Sequence, residues 1–322
     1  MTFAGSPDRV EARLVPERGY EFDAFRVAGF PRRPGRALVH ALGLAAAAPV
    51  ECLRILARRR PDVVLGGGGY VAGPMVLAAR LRGIPAALTE ADAHLGLANR
   101  LAAPFARRVF LALPVPGRTG EKYRAVGRPV PALSRAVSRD EARARLELPA
   151  AGPVVLVFGG SLGARLLNEL AVDAWGADGP AVLHLCGERD YAALRGRVSR
   201  PGYRLLPFLD QIGLAYGAAD VVVARAGGSV WELAAAGLPA VLVPGSFATG
   251  DHQDKNARWF ERAGGAVVVP EAEAERMPEV VAELLADPER LERMAGAMRA
   301  SAKPNAADEI ADEIVSLAAA RR

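Results

Sequence analysis

Cysteine is scarce in this 322-residue chain, and its two copies, Cys52 and Cys186, lack the spacing of a metal site. Both sit in apolar surroundings and are expected as buried thiols of a reducing cytoplasm. Lysine is nearly absent: Lys122, Lys255 and Lys303 are all of it, so the net charge of +5 and the pI near 9.5 rest on arginine. Such a charge suits phosphate or an anionic membrane surface, and it does not decide between them. There is no zinc pattern, no aromatic–basic RNA motif and no low-complexity tail, which argues against nucleic acid as a partner. No apolar run approaches the ~20 residues of a membrane helix, and the opening MTFAGSPDRVEARL is not a signal peptide. No Asp-x-Asp motif stands ready for a divalent metal, and no cofactor is called for. What is present, 51% hydrophobic and 24% charged residues, is the composition of a globular chain long enough for two domains.

The pattern along the chain alternates strand and helix, which predicts parallel sheets with helices on both faces. In the first half, strands are expected at Thr2–Gly5, Phe22–Val27, Val63–Leu65, Ala86–Leu88 and Val109–Leu111. An Ala/Leu helix from Ala37 to Arg60 is expected to break at Pro49, and another helix to run from Met75 to Leu81. Leu111 to Leu133 is rich in Pro and Gly and reads as an irregular interdomain connection, giving domains 1–132 and 133–305, with the terminal helix 306–322 packing back on the first. The second half restarts at Val154–Phe158 and repeats strands at Val182–Leu185, Tyr203–Leu206, Val221–Val223, Ala240–Val243 and Ala266–Val269.

The densest stretch runs from Asp220 to Asn256. A buried apolar strand breaks at Arg225-Ala226-Gly227-Gly228-Ser229, a helix follows from Val230 to Ala236, and after the next strand a polar loop carries Asp251, His252 and Gln253. A glycine turn from a buried strand into a helix lets backbone amides approach an anion. Glu232, one turn on, would repel phosphate but would accept hydrogen bonds from two ribose hydroxyls. The same pattern also fits an ordinary α/β turn with a surface glutamate, and this stretch alone does not separate the two.

Several segments together resemble one family. They are Gly68-Gly69-Tyr70-Val71-Ala72-Gly73-Pro74; Glu90 through Leu97-Ala98-Asn99-Arg100; Gly159-Gly160-Ser161-Leu162-Gly163-Ala164-Arg165 with Asn168; and Phe208-Leu209-Asp210. To these add the Arg225–Glu232 turn with Ala236-Gly237-Leu238-Pro239, and Asp251-His252-Gln253 with Asn256. In order and spacing they are similar to the bacterial two-Rossmann-domain (GT-B) glycosyltransferases that move N-acetylglucosamine from UDP-GlcNAc to undecaprenyl-pyrophosphoryl-MurNAc-pentapeptide. The resemblance implies an α/β fold of two parallel-sheet domains facing a cleft, with the donor bound by the second. It places Ser161 at the donor diphosphate, Leu209 at the uracil, Ser229 and Val230 at the sugar-phosphate turn, Glu232 at the ribose and Gln253 at the transferred sugar. It implies a peripheral enzyme on the cytoplasmic face of the plasma membrane. UDP-GlcNAc 2-epimerases share this architecture and donor, and form the alternative class.

Three departures qualify the resemblance. Glu90-Ala91-Asp92 has Asp92 where the family often has Asn, and an aspartate accepts from a sugar hydroxyl but cannot donate. Gly127-Arg128-Pro129-Val130-Pro131 has Pro131 in place of the family's arginine, with Arg128 and Arg135 as the candidates to substitute. The family's opening strand and Gly-Gly-Thr-Gly-Gly-His-type loop, with its histidine implicated in catalysis, are not in this sequence. The chain is therefore expected to be a member with a start assigned too late, inactive as a transferase as written. The catalytic residue is unassigned, His252 and Asp92 being candidates. Membrane attachment is expected through Leu38, Leu42, Leu44, Leu53, Ile55 and Leu56, flanked by Arg32, Arg33, Arg36, Arg54, Arg58, Arg59 and Arg60.

Overall fold

Apolar runs of β-branched residues with no polar alternation demand burial on both faces, and all the strand pairings in the computed structural model of the chain are parallel. The structure describes residues 1–29, 35–160, 163–245 and 251–321. The chain forms two compact units, Met1–Val126 with Asp308–Arg322, and Gly127–Ala307. Gly127 and Arg128, which the sequence pattern leaves in the first domain, pack within the second. Gly127 lies against Lys303 and Trp231, and Arg128 against Gly228.

Unit 1 carries β1 (Thr2–Gly5), β2 (Glu21–Ala24), β3 (Val64–Gly66), β4 (Ala86–Glu90), β5 (Arg108–Leu111) and β6 (Tyr123–Ala125). They form two sheets among the described residues, β1-β2 and β3-β4-β5-β6. Their helices share one core, in which Phe25, Cys52, Leu56, Val76, Leu88 and Leu111 are buried together. The β6 strand lies inside the stretch expected to be irregular; at three residues, on a sheet edge, it offers almost no periodicity to read.

The Ala/Leu helix is a correction. It runs unbroken from Arg36 to Arg59 through Pro49, held by fully buried Ala48 and Cys52 on either side of the proline. Read as one helix, Val39–Arg59 has a mean hydropathy of 1.5 over its most apolar window, long and apolar enough to cross a membrane, contrary to the expectation from the broken pattern. Only 29% of that window is buried. Ile55 and Leu56 belong to the core, while Val39 and Val50 face outward. Arg58 and Arg59 both donate to Asp23, a buried carboxylate that they hold below the usual range. Arg32 and Arg33 lie outside the described residues.

The next helix also starts earlier than its apolar pattern, at Gly69 rather than Met75, and takes in Gly73 and Pro74. The terminal helix Ala306–Ala319 covers unit 1: Ile310 is buried with Ala87, Phe110 and Val126, and Glu313 pairs with Arg108 and Arg124.

Unit 2 carries β7 (Val154–Phe158), β8 (Ala181–Leu185), β9 (Tyr203–Leu206), β10 (Val221–Ala224), β11 (Ala240–Leu242) and β12 (Ala266–Val268), in the order β12-β11-β10-β7-β8-β9. Successive connections run one way from β7 through β8 to β9, and the other way from β10 through β11 to β12. The sheet order therefore reverses between β7 and β10. Arg143, with its side chain 1% exposed, ties this unit together. Its guanidinium donates to the carbonyls of Ala218, Pro149, Ala150 and Gly152 and pairs with Asp220.

Candidate functional site

In an open parallel sheet the carboxyl ends of the strands at the reversal point leave a crevice, because the connecting helices depart to opposite faces. Here those strands are β7 and β10, which pair directly, Phe158 beside Ala224. Each is followed by a glycine turn, so the two phosphate-type loops of the sequence become neighbours in space.

The turn after β7 needs its glycines. Gly163 adopts φ +71°, and a Cβ there would overlap the carbonyl oxygen of Cys186. Ser161 and Leu162 lie outside the described residues. Beneath this turn is a buried polar network. Asn168 donates from Nδ2 to the Cys186 carbonyl (2.8 Å) and to Asp190 (2.9 Å), which fixes its amide orientation. Its Oδ1 then accepts from His184 Nε2–H (3.0 Å), so His184 Nδ1 accepts from the Tyr203 hydroxyl (2.8 Å). Burial drives the His184 pKa down to about 3, and the ring is neutral. The Arg189 guanidinium holds Asp190 down at about 2, against its burial.

The turn after β10 is organised from several sides. Arg225 points inward, donating to the Val243 carbonyl (3.0 Å) and pairing with Glu271 (2.5 Å), so it is a structural cation. Asn256 donates to the Ala226 carbonyl at 3.1 Å. Ser229 precedes the helix Val230–Ala236, which has only seven residues; the anion-binding case rests on the turn amides rather than on a helix dipole. Glu232, half-buried in the first turn, accepts from the Tyr216 hydroxyl at 2.8 Å, and burial beside this carboxylate pushes the tyrosine pKa well above its ordinary value. Tyr216 is itself 2% exposed, on the helix Ile212–Ala218.

His252 and Gln253 are not on a loop. They form the first turn of the helix Asp251 introduces with φ +54°, His252–Arg262. Gln253 Oε1 accepts from the Gly245 N–H at 2.8 Å, which anchors the side chain and leaves its amide N–H groups to donate. Leu209 is half-buried just beyond β9. Asp92 belongs to unit 1, on a segment set by Glu90. That buried carboxylate accepts from the N–H groups of Ala91, Asp92 and Gly96 and from Asn99 Nδ2. The structure thus gathers Ser229, Val230 and Glu232 on one turn of unit 2 and places Asp92 in the other unit. Tyr216 and His184 are positioning residues that local sequence pattern does not reveal, since their partners lie 16 to 19 residues away, whereas Asn168 already stands in the glycine-turn motif and its partners show what it holds.

Residues 2–111 match the glycosyltransferase family 28 N-terminal domain and residues 154–310 its C-terminal domain. A relative from Salinibacter ruber, a UDP-N-acetylglucosamine–N-acetylmuramyl-(pentapeptide) pyrophosphoryl-undecaprenol N-acetylglucosamine transferase, is 40% identical; the alignment covers 99% of this chain and 88% of the relative. The crystal structure of MurG from Acinetobacter baumannii superimposes with a TM-score of 0.80 at 28% identity, over 98% of this chain and 90% of that one. The UDP-GlcNAc 2-epimerase of Neisseria meningitidis aligns over 98% of both chains with a TM-score of 0.61 at 15% identity, a likeness of fold alone. The shared architecture is the two-domain α/β arrangement of GT-B enzymes. By sequence, fold and domain content, this chain belongs to glycosyltransferase family 28, among the UDP-N-acetylglucosamine–N-acetylmuramyl-(pentapeptide) pyrophosphoryl-undecaprenol N-acetylglucosamine transferases.

Proposed function

We infer that the chain catalyses inverting transfer of N-acetylglucosamine from UDP-GlcNAc to undecaprenyl-pyrophosphoryl-MurNAc-pentapeptide, the lipid I to lipid II step of peptidoglycan synthesis. The acceptor's C4 oxygen attacks the anomeric carbon, the bond from that carbon to the diphosphate oxygen breaks, the hydroxyl proton passes to a base, and UDP departs. The structural observation that carries this reading is the pair of glycine turns at the β7–β10 reversal, with Glu232 fixed one turn beyond the second.

Each assignment follows from chemistry available at its place. Turn amides at Gly228 and Ser229, with Val230 closing the same turn through its bond to the Gly227 carbonyl, and the Ser161 hydroxyl meet the diphosphate and disperse the charge that grows as it leaves. Glu232, acceptor-only when ionised, takes the ribose diol. Gln253 donates to hydroxyls of the transferred sugar, Leu209 lies along the uracil, and Asp92 accepts from the acceptor side. The base is sought between His252 and Asp92. Detection of GlcNAc transfer to a lipid-pyrophosphate acceptor supports the reading; formation of UDP-ManNAc instead would replace it with epimerisation. Calorimetry of UDP binding by Glu232→Ala and Ser161→Ala locates the donor site, and unchanged affinity in both would remove it.

The acceptor named in the relatives is lipid-linked, so attachment to the inner face of the plasma membrane through unit 1 belongs to the same proposal. The outward face of the Arg36–Arg59 helix, with Val39 71% and Val50 50% exposed and Arg36 and Arg54 nearby, offers shallow apolar burial beside positive charge. Its opposite face, Ala48, Cys52 and Leu56, is already committed to the core, which favours lying on the bilayer over spanning it.

A further inference from the structure

Most of the arginines in unit 2 whose contacts are described face a carboxylate: Arg143 has Asp220, Arg225 has Glu271, Arg189 has Asp190 and Arg258 has Glu261. Arg128 does not. Its side chain is half-buried, yet it makes no hydrogen bond or ion pair among the described residues. Its guanidinium instead rests on the glycine turn after β10. A Cβ built on Gly228 would overlap Nη1 and Cζ of Arg128, with Nη2 at 2.9 Å. Gly228 has no left-handed φ that would itself require glycine, so the missing side chain serves to seat the guanidinium.

A half-buried cation without a counter-charge among the described residues carries a desolvation cost. The cost is recovered when an anion binds there. The adjacent amides of Gly228 and Ser229 also find no acceptor among the described residues, so two kinds of donor converge on one place. The other arginine of this region, Arg135, is exposed, and its carbonyl packs against Gly213 at the start of the helix Ile212–Ala218.

We propose that Arg128 is the cation that binds the diphosphate of the nucleotide donor, clamping it against the Gly228–Ser229 turn. The proposal rests on the donor-site reading above and adds a residue that the family resemblance does not supply, Pro131 occupying the place of the expected arginine. A planar guanidinium suits two phosphate oxygens at once, which an ammonium cannot match.

The test compares wild type, Arg128→Ala and Arg128→Lys by calorimetry with UDP and with uridine, and follows unfolding temperature alongside. Because Arg128 makes no hydrogen bond or ion pair among the described residues, both variants should unfold at the wild-type temperature. Arg128→Ala should bind UDP about tenfold or more weakly, the loss expected for a charge-assisted hydrogen bond, with uridine affinity unchanged; Arg128→Lys should fall between. An equal loss for UDP and uridine, or no loss for either, would overturn the proposal. If the wild-type protein binds neither ligand, the donor-site reading itself fails, and Arg128 falls with it.

Discussion

His184 should make unit 2 acid-labile well before any carboxylate does. Its ring is fully buried, neutral, and bonded at both nitrogens, by Asn168 and Tyr203. In the unfolded chain it titrates near 6.5, whereas in the folded one burial holds it near 3. Above pH 6.5 both states are neutral and the difference contributes nothing. As pH falls below 6.5 the unfolded state takes up a proton that the native state refuses, so stability drops by at most ~1.4 kcal/mol per pH unit. Down to pH 4 the ceiling is about 3 kcal/mol, a large share of the 5–15 kcal/mol typical of a domain. Asp190, held near 2, also loses its contribution in acid, but only once pH falls below its ordinary value of 3.8. The window from 6.5 to 4 therefore isolates the histidine. All three tryptophans, Trp175, Trp231 and Trp259, belong to unit 2, so fluorescence-detected urea unfolding reads that unit alone. Wild type should lose stability steadily across the window, and His184→Gln, although less stable at neutral pH, should lose little. Parallel pH curves for the two proteins would refute the reasoning.

Two further outcomes follow from single contacts. Tyr216→Phe removes the hydroxyl that orients Glu232, and UDP affinity should fall by about 1–1.5 kcal/mol; in a Glu232→Ala background the same change should cost nothing further, whereas an undiminished loss there would show that Tyr216 acts elsewhere. Vesicle flotation should carry the protein with anionic lipid more than with neutral lipid, and Val39→Asp with Val50→Asp should abolish it; absence from both vesicle types in the parent protein would defeat the membrane reading.

How much was legible depended on where each residue's constraint lies. Val154–Phe158 and Val221–Ala224 are uninterrupted apolar runs, and the structure has them as the two strands at the sheet's reversal point. The glycine turns after them were readable for the same local reason. His252 and Gln253 read as loop, although they open the helix His252–Arg262, because its buried face is only Asn256, Ala257 and Phe260, too few apolar positions to set a 3.6-residue rhythm. Pro49 was given its usual helix-breaking weight, which packing of Ala48 and Cys52 overrides. Nothing near Tyr216 in sequence announces Glu232, and Arg128 meets Gly228 across a hundred residues of chain. Such pairings are decided by tertiary packing, which carries no local signature.

The helix Ala306–Ala319 has a consequence for the order of events on the ribosome. It covers Ala87, Phe110 and Val126 and neutralises Arg108 and Arg124, all made much earlier. At synthesis rates of about 5–20 residues per second, the stretch 127–319 takes on the order of 10–40 s to emerge. Throughout that interval the nascent first unit shows an uncovered apolar face and two unpaired cations. Unit 2, contiguous from Gly127 to Ala307, is made whole in the meantime. The half of the chain translated first is thus the half that finishes last, and its exposed face is where a trigger-type chaperone would be expected to engage.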